Sequence, residues 1–70
     1  MPPSERLAAD LRQQIESGKL QPGDQLPTVE ALAEQYHVST ATVAKALRAL
    51  REEGLIVTRH GWGTHVAEQP

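Results

Sequence analysis

The chain has 70 residues, no cysteine and a formal net charge of −2. The missing cysteine excludes disulfides and thiolate metal sites and fits the reducing cytoplasm, where we expect this protein. No apolar run reaches the ~18 residues of a membrane span, and the opening residues do not form a signal sequence. The charge is uneven: residues 1–35 hold three basic and six acidic side chains, whereas residues 36–65 hold four basic and two acidic ones.

The first predicted element is a helix over residues 4–17, with Ser4 as its N-cap. Apolar residues recur at every fourth position from Leu7 to Ile15 and form one stripe along this helix. Gly18 follows as a left-handed stop, because glycine adopts a positive φ without steric cost. The element is therefore expected to be an amphipathic helix that packs on one side.

Two further helices follow the segment LQPGDQLP, which we interpret as a connector because Pro-Gly favours a turn. The second helix is predicted over residues 28–36 with Thr28 as N-cap, and the third over residues 40–53 with Ser39 as N-cap. Their short separation is typical of a helix-turn-helix. The apolar stripe of the third helix consists of Val43, Ala46, Leu47 and Leu50.

Residues 55–67 change to a β pattern, with LIVTRH as one strand, GWG as the loop and THVA as the return strand. The order of helix, helix, tight turn, helix and hairpin predicts a mainly α fold with a small β-hairpin. We therefore expect a single three-helix winged helix-turn-helix domain over residues 1–70.

Four segments in this order resemble the DNA-binding domain of the GntR family of bacterial transcription regulators: GKLQPGDQLPT, LAEQYHVSTATVAKAL, LREEGLI and GWGTHVA. The resemblance covers residues 7–67. It implies a sequence-specific regulator, mostly a repressor, that binds as a homodimer to a palindromic operator in double-stranded DNA. It also implies a larger C-terminal effector domain, which these 70 residues do not contain.

The side of the third helix opposite Val43 is the predicted DNA-contact surface. Steps of about 100° per residue place Ala41, Lys45 and Arg48 on that side. Its small side chains allow close approach to the major groove, where Lys45 can reach a guanine edge or a phosphate, and Arg48 is better placed for phosphate. The other predicted contacts of the helix-turn-helix are Thr28, Ser39, Thr40, Thr42 and Ala44.

By the same resemblance, the hairpin tip is predicted to reach the minor groove. Glycine there lets the backbone approach a groove wall. Trp62 stands where the family often has a basic residue, and it could stack on a sugar, pack back on the domain or anchor a partner. The predicted wing contacts are Arg59, His60, Gly61, Trp62, Gly63 and Thr64.

Several positions depart from the family pattern. Glu30, Thr40 and Ala44 stand where arginines that grip DNA are common. We therefore expect weaker binding, or base readout of a different sort. His37 replaces the usual glycine of the turn, which predicts left-handed backbone at a histidine.

Two alternatives remain open at this point. A winged-helix protein-interaction module with little DNA binding would fit the negative net charge, Glu30 and an exposed Trp62. A non-specific nucleoid binder is disfavoured because the chain has few basic residues. The sequence predicts no enzyme and no cofactor, since no nucleophile–base pair or phosphate-binding glycine loop is evident. It predicts no metal site, because a His60–His65 pair across the hairpin would supply only two ligands.

Overall fold

The computed structural model describes residues 2–68 and confirms the predicted order of three helices and a hairpin. Residues 1, 69 and 70 of the predicted domain lie outside this range. The helix bounds differ from the predicted ones by one residue at most. The helices are α1 (Pro3–Glu16), α2 (Val29–Tyr36) and α3 (Thr40–Glu52), and the strands are β1 (Ile56–Arg59) and β2 (Gly63–Val66).

The prediction that Ser4 caps α1 is wrong. The helix begins one residue earlier, at Pro3, with Pro2 at the N-cap and no side-chain cap bond. Proline suits this position because its φ is already helical and its missing N–H would have no partner within the helix. Ser4 lies inside the first turn and is buried. At the other end, Gly18 has a φ of 87°, which confirms the predicted left-handed stop.

Both helices of the helix-turn-helix begin at the predicted caps. Thr28 Oγ1 accepts a hydrogen bond from the backbone N–H of Ala31 at 3.1 Å. Ser39 Oγ accepts one from the backbone N–H of Thr42, also at 3.1 Å. Each bond satisfies an N–H group that has no partner within its helix. The starts of α2 and α3 are therefore specified locally, by single side chains.

His37 forms the turn between these two helices. Its φ of 57° and ψ of 46° lie in the left-handed region, as predicted. It is the only non-glycine residue with positive φ in the part of the chain that the structure describes. The Val38 N–H donates to the Ala33 carbonyl at 3.0 Å and closes the end of α2. The reversal allows α3 to start after a turn of only three residues.

One buried cluster holds the helices and the hairpin together. Val43 and Leu50 of α3 have no exposed surface, and Leu32 of α2 is almost as deeply buried. Because α3 contributes its whole apolar stripe, it is the central element against which the others pack. The other members of the cluster are Leu7, Ala8, Leu11, Leu26, Ala46, Leu47 and Ile56.

Two polar contacts orient α1 at the surface of the domain. Arg12 Nε and Nη2 donate to the Glu53 carboxylate at 2.8 and 2.6 Å, and this bond lowers the pKa of Glu53. The Tyr36 hydroxyl donates to the Asp10 carboxylate, and burial together with this bond raises the pKa of Tyr36 to about 12. Both contacts face solvent, so they contribute less to stability than to the orientation of α1.

The connector before α2 pairs with the hairpin, which the sequence pattern does not predict. β1 and β2 pair as antiparallel strands, and Gln25 forms an isolated bridge with His65 on the other edge of β2. β2 is therefore hydrogen-bonded on both sides, and the wing has a broader base than a free hairpin. The backbone bonds of the connector are Leu26 N–H to Thr64 O (2.8 Å), Val66 N–H to Asp24 O (2.8 Å) and Gly23 N–H to Val66 O (2.9 Å).

Replacing Leu47 by alanine should lower the free energy of unfolding by about 2–5 kcal/mol, because the truncated side chain would leave a cavity in the core. Val57→Ala is the matched control. It shortens an apolar side chain that is 38% exposed, and we expect a loss of less than about 1 kcal/mol. Urea denaturation followed by circular dichroism measures both. Equal losses would contradict the central place of α3 in the core.

His37→Gly should leave the free energy of unfolding unchanged or raise it by up to about 1 kcal/mol, since glycine has no Cβ to clash in the left-handed region. His37→Ala should be less stable than His37→Gly by about 1 kcal/mol for the same reason. Chemical denaturation of the three proteins provides the comparison. A glycine variant less stable than the parent would mean that the imidazole itself stabilises the turn.

Candidate nucleic-acid interface

The side of α3 that faces away from the core carries six of the predicted contact residues. Thr42 is half-buried and the other five are exposed, whereas Val43 behind them has no exposed surface. The first two turns of this side hold small side chains and a single lysine, so a large, flat partner can come close to the helix backbone. The five exposed residues are Thr40, Ala41, Ala44, Lys45 and Arg48.

The hydroxyl groups at the helix starts have a defined hydrogen-bonding role. Thr28 and Ser39 accept from backbone N–H groups, and Ser39 Oγ also donates to Thr42 Oγ1 at 3.0 Å. A hydroxyl that accepts in this way still has its own proton to donate. Thr28 and Thr42 are therefore potential donors to phosphate oxygens or to acceptor atoms on base edges.

The hairpin tip is a tight turn with an exposed aromatic side chain. The Trp62 N–H donates to the Arg59 carbonyl at 2.9 Å, and Gly61 has a φ of 80° at the third position of the turn. A positive φ at that position is typical of a type II turn and favours glycine. The Trp62 side chain is 71% exposed. The option that it packs back on the domain is therefore wrong, and it is available to a partner.

Gly63 is favoured by its backbone conformation and lies close to the connector. Its φ is 80°, and a Cβ built there would lie 3.0 Å from Gln25 Nε2. The connector and the hairpin come together at the start of β2, which the sequence pattern alone did not indicate.

A side-chain network that sequence reasoning missed links α3 to the wing. Arg51 Nη1 donates to Thr58 Oγ1 at 2.9 Å, and Thr58 Oγ1 lies 3.1 Å from Thr64 Oγ1. Thr58 and Thr64 are directly opposite each other in the hairpin register. No spacing in the sequence signals this contact, because it depends on how the hairpin folds back beside the last turn of α3.

The charges on this part of the molecule are mixed. Lys45, Arg48 and Arg59 are exposed on α3 and on the hairpin. Glu30 is also exposed, in the first turn of α2 and two residues after the Thr28 cap. A carboxylate there stabilises the helix through the helix dipole, yet it would repel a phosphate. Glu30 is therefore an exposed negative charge at the start of α2.

The histidines do not form a metal site in the described residues. His65 is paired with Val57 across the hairpin, whereas His60 lies in the turn, so the two are not opposite each other. Within residues 2–68, no group of three or more His, Cys, Asp or Glu side chains is arranged to hold a metal ion. Over the same range, no helix has the length and apolar character needed to cross a membrane.

The sequence matches known regulators over almost its full length. Residues 3–66 match the family described as "Bacterial regulatory proteins, gntR family". The chain is 44% identical over 64 residues to the mannosyl-D-glycerate transport/metabolism system repressor MngR of Escherichia coli (strain K12), covering 91% of this chain and 27% of that protein. It is 46% identical over 54 residues to the HTH-type transcriptional regulator LutR of Bacillus subtilis (strain 168), covering 77% and 25%. The chain spans about a quarter of the length of these relatives.

Solved structures show the same arrangement of helices and hairpin. AraR(DBD) in complex with operator ORX1 superimposes with a TM-score of 0.92 at 33% identity, over 96% of this chain and 81% of that one. The regulator YydK of Bacillus subtilis superimposes with a TM-score of 0.87 at 34% identity, over 100% and 31%. Together with the sequence match, these likenesses confirm the resemblance: the chain belongs to the gntR family of bacterial regulatory proteins.

Proposed function

We propose that this chain is the sequence-specific DNA-binding domain of a transcriptional repressor. The observation that carries the proposal is the exposed side of α3, which bears mostly small side chains, on a helix that Ser39 caps. The fold that presents this side matches an operator-bound domain over 96% of the chain. In this proposal repression results from occlusion, because a protein bound in the groove prevents other proteins from binding the same DNA. The names of several relatives, MngR among them, include the word repressor.

In this proposal the N-terminal half of α3 lies in the major groove. Thr40 and Ala44 are small enough for the helix to approach base edges closely, and their methyl groups can meet thymine methyls. Lys45 reads a guanine edge or a phosphate from the same side. Arg48 lies about one turn further along and contacts the backbone, where it positions the helix without reading sequence. Base readout is thus assigned to the first two turns of α3.

The wing completes the interface at the neighbouring minor groove. Arg59 supplies a positive charge, which the negative potential of a narrow minor groove attracts. The tight turn at Gly61 brings the backbone close to the groove wall, and exposed Trp62 stacks on a sugar. A tryptophan carries no charge, so this contact adds affinity that salt does not screen.

Two copies bind together on an inverted repeat in this proposal. One recognition helix reads only a few base pairs, and a second copy about one helical turn away doubles the contacts. In residues 2–68 the exposed large apolar side chains are Val57 and Trp62, both in the wing region. The helices therefore offer no apolar dimer interface, and the two copies pair on the DNA.

A protein-interaction module is the second candidate function. The observations that favour it are the 71% exposure of Trp62, the exposed Glu30 and the net charge of −2. Salt dependence separates the two functions. A DNA-binding domain with about 3–5 phosphate contacts per copy should lose affinity with a log–log slope of about −3 to −5. An interaction module should bind no duplex appreciably at any salt concentration.

Selection from a pool of random duplexes at moderate salt tests the proposal. We expect enrichment of an inverted repeat whose half-sites lie about one helical turn apart. Enrichment of a single half-site would support sequence reading and contradict pairing on DNA. A pool that stays random, together with flat salt dependence, would overturn DNA binding and favour the interaction module.

Lys45→Ala and Arg48→Ala should weaken binding to the selected duplex in different ways. Loss of Lys45 should cost about 1–3 kcal/mol and relax the preference at one base position, if it reads a base. Loss of Arg48 should weaken all duplexes alike and reduce the salt slope by about 1. Fluorescence anisotropy on matched and mismatched duplexes measures both effects.

Lys19→Ala is the matched control for these two variants. Lys19 is exposed between α1 and the connector, outside the proposed interface, so its loss removes one positive charge without removing a contact. The affinity of this variant should stay close to that of the parent. Equal small effects of all three substitutions on every duplex would contradict the assigned roles of Lys45 and Arg48.

A further inference from the structure

We infer that Arg51 is a positioning residue that fixes the wing at one angle to α3 through the hydroxyls of Thr58 and Thr64. The inference rests on the proposed function, because it concerns how two DNA-contacting elements are held relative to each other. Arg51 itself is outside the proposed contact surface. It acts on binding through the hairpin and not through the DNA.

The network lies near the tip of the hairpin, at the second residue pair from the turn. Arg51 Nη1 donates to Thr58 Oγ1 at 2.9 Å, and Thr58 Oγ1 lies 3.1 Å from Thr64 Oγ1. The next pair in the register is Arg59↔Gly63, after which the chain turns. In the described part of the chain, the Arg51 bond is the only side-chain hydrogen bond between α3 and the hairpin.

The Arg51 bond has a fixed direction, whereas either hydroxyl can donate in the bond between Thr58 and Thr64. An arginine side chain has only donors, so Thr58 Oγ1 must accept from Arg51. The Thr58 hydroxyl then has its own proton to donate to Thr64 Oγ1. One guanidinium thereby connects to both strands of the hairpin, although it contacts only the first of them. A hydrophobic residue at position 51 could not make this connection.

The rest of the wing is held elsewhere, which leaves this connection a distinct role. The base of the hairpin is anchored by the buried side chains of Ile56 and Val66. The edge of β2 that does not pair with β1 is hydrogen-bonded to the connector near Gln25. The end of β1 nearest the turn, Thr58 and Arg59, has neither support. A two-stranded hairpin is only marginally stable by itself. Arg51 supplies the missing support from the α3 side.

The effect should appear in DNA binding and not in the stability of the fold. Arg51 and Thr58 are exposed, and solvent-exposed hydrogen bonds of this kind contribute little to the free energy of unfolding. Binding requires α3 and the wing tip to fit two grooves at the same time. A wing that is already oriented loses less conformational freedom on binding than one that must be ordered by the DNA.

The test compares Arg51→Met and Thr58→Val with the parent on the duplex that is most enriched from the random pool. Arg51→Met keeps the aliphatic stem and removes the donor, whereas Thr58→Val keeps the shape and removes the hydroxyl. Each should weaken binding by about three- to tenfold, and the double variant should bind no more weakly than either single variant. The melting temperatures of the free proteins should stay close to that of the parent.

Arg12→Met is the matched control. Like Arg51→Met, it removes one positive charge and a side-chain hydrogen bond near the end of α3. That bond is on the side of α1, where Arg12 contacts Glu53, the residue that follows α3. Its affinity for the duplex should remain close to that of the parent. A loss equal to that of Arg51→Met would mean that the wing has no special part, and would overturn the inference.

Salt titration separates positioning from direct contact. Thr58→Val changes no charge, and in our inference both variants keep the salt slope of the parent. If Arg51→Met lowers the slope by about 1 while Thr58→Val binds normally, Arg51 contacts phosphate directly and the inference is wrong. Normal binding by both variants would also overturn it while leaving the proposed function intact. A parent protein that binds no duplex would overturn the proposed function and this inference with it.

Discussion

The packing of α3 against both other helices is the contact on which the rest of the structure depends. Val43 and Leu50 are completely buried, and the exposed side of the same helix carries Lys45 and Arg48. A helix can bury one side and present the other only if its rotation about its own axis is fixed. The core fixes that rotation, and the exposed residues take their directions from it. Any loss of packing therefore reaches the candidate site even where no contact residue is changed.

The wing is attached to the rest of the domain in three ways. Ile56 and Val66 anchor its base, and the connector adds backbone bonds to the far edge of β2. On the α3 side, Arg51 donates a hydrogen bond to Thr58 of β1. A small domain cannot use a large core to orient a projecting hairpin, so it uses backbone pairing and one side-chain network. The arrangement explains how a hairpin with four residues in each strand can keep a defined direction.

An acidic domain that binds DNA needs its basic residues placed locally. Most of the acidic side chains lie on α1, in the connector and on α2, whereas residues 36–65 carry two more basic than acidic side chains. The net charge of −2 therefore understates the attraction of the proposed interface for phosphate. In the proposed interface Glu30 works against that attraction, and the small residues Thr40 and Ala44 allow close contact. The affinity of this domain for DNA should depend more on shape complementarity and less on charge than that of a strongly basic domain.

The sequence by itself determined the helices, the caps at Thr28 and Ser39, the buried stripe of α3 and the left-handed turn at His37. The helices, the caps and the stripe depend on residues close together in the chain, which is why local spacing predicts them. The turn at His37 was predicted from the resemblance to the family. Ser4 was misread because a proline one residue away is an equally good start, and both signals are local. Only the tertiary structure decided the pairing of the connector with β2, the close approach of Gly63 to Gln25 and the contact of Arg51 with Thr58. Those contacts join elements that meet only after the hairpin has folded back on the helices, and no local pattern encodes such a meeting.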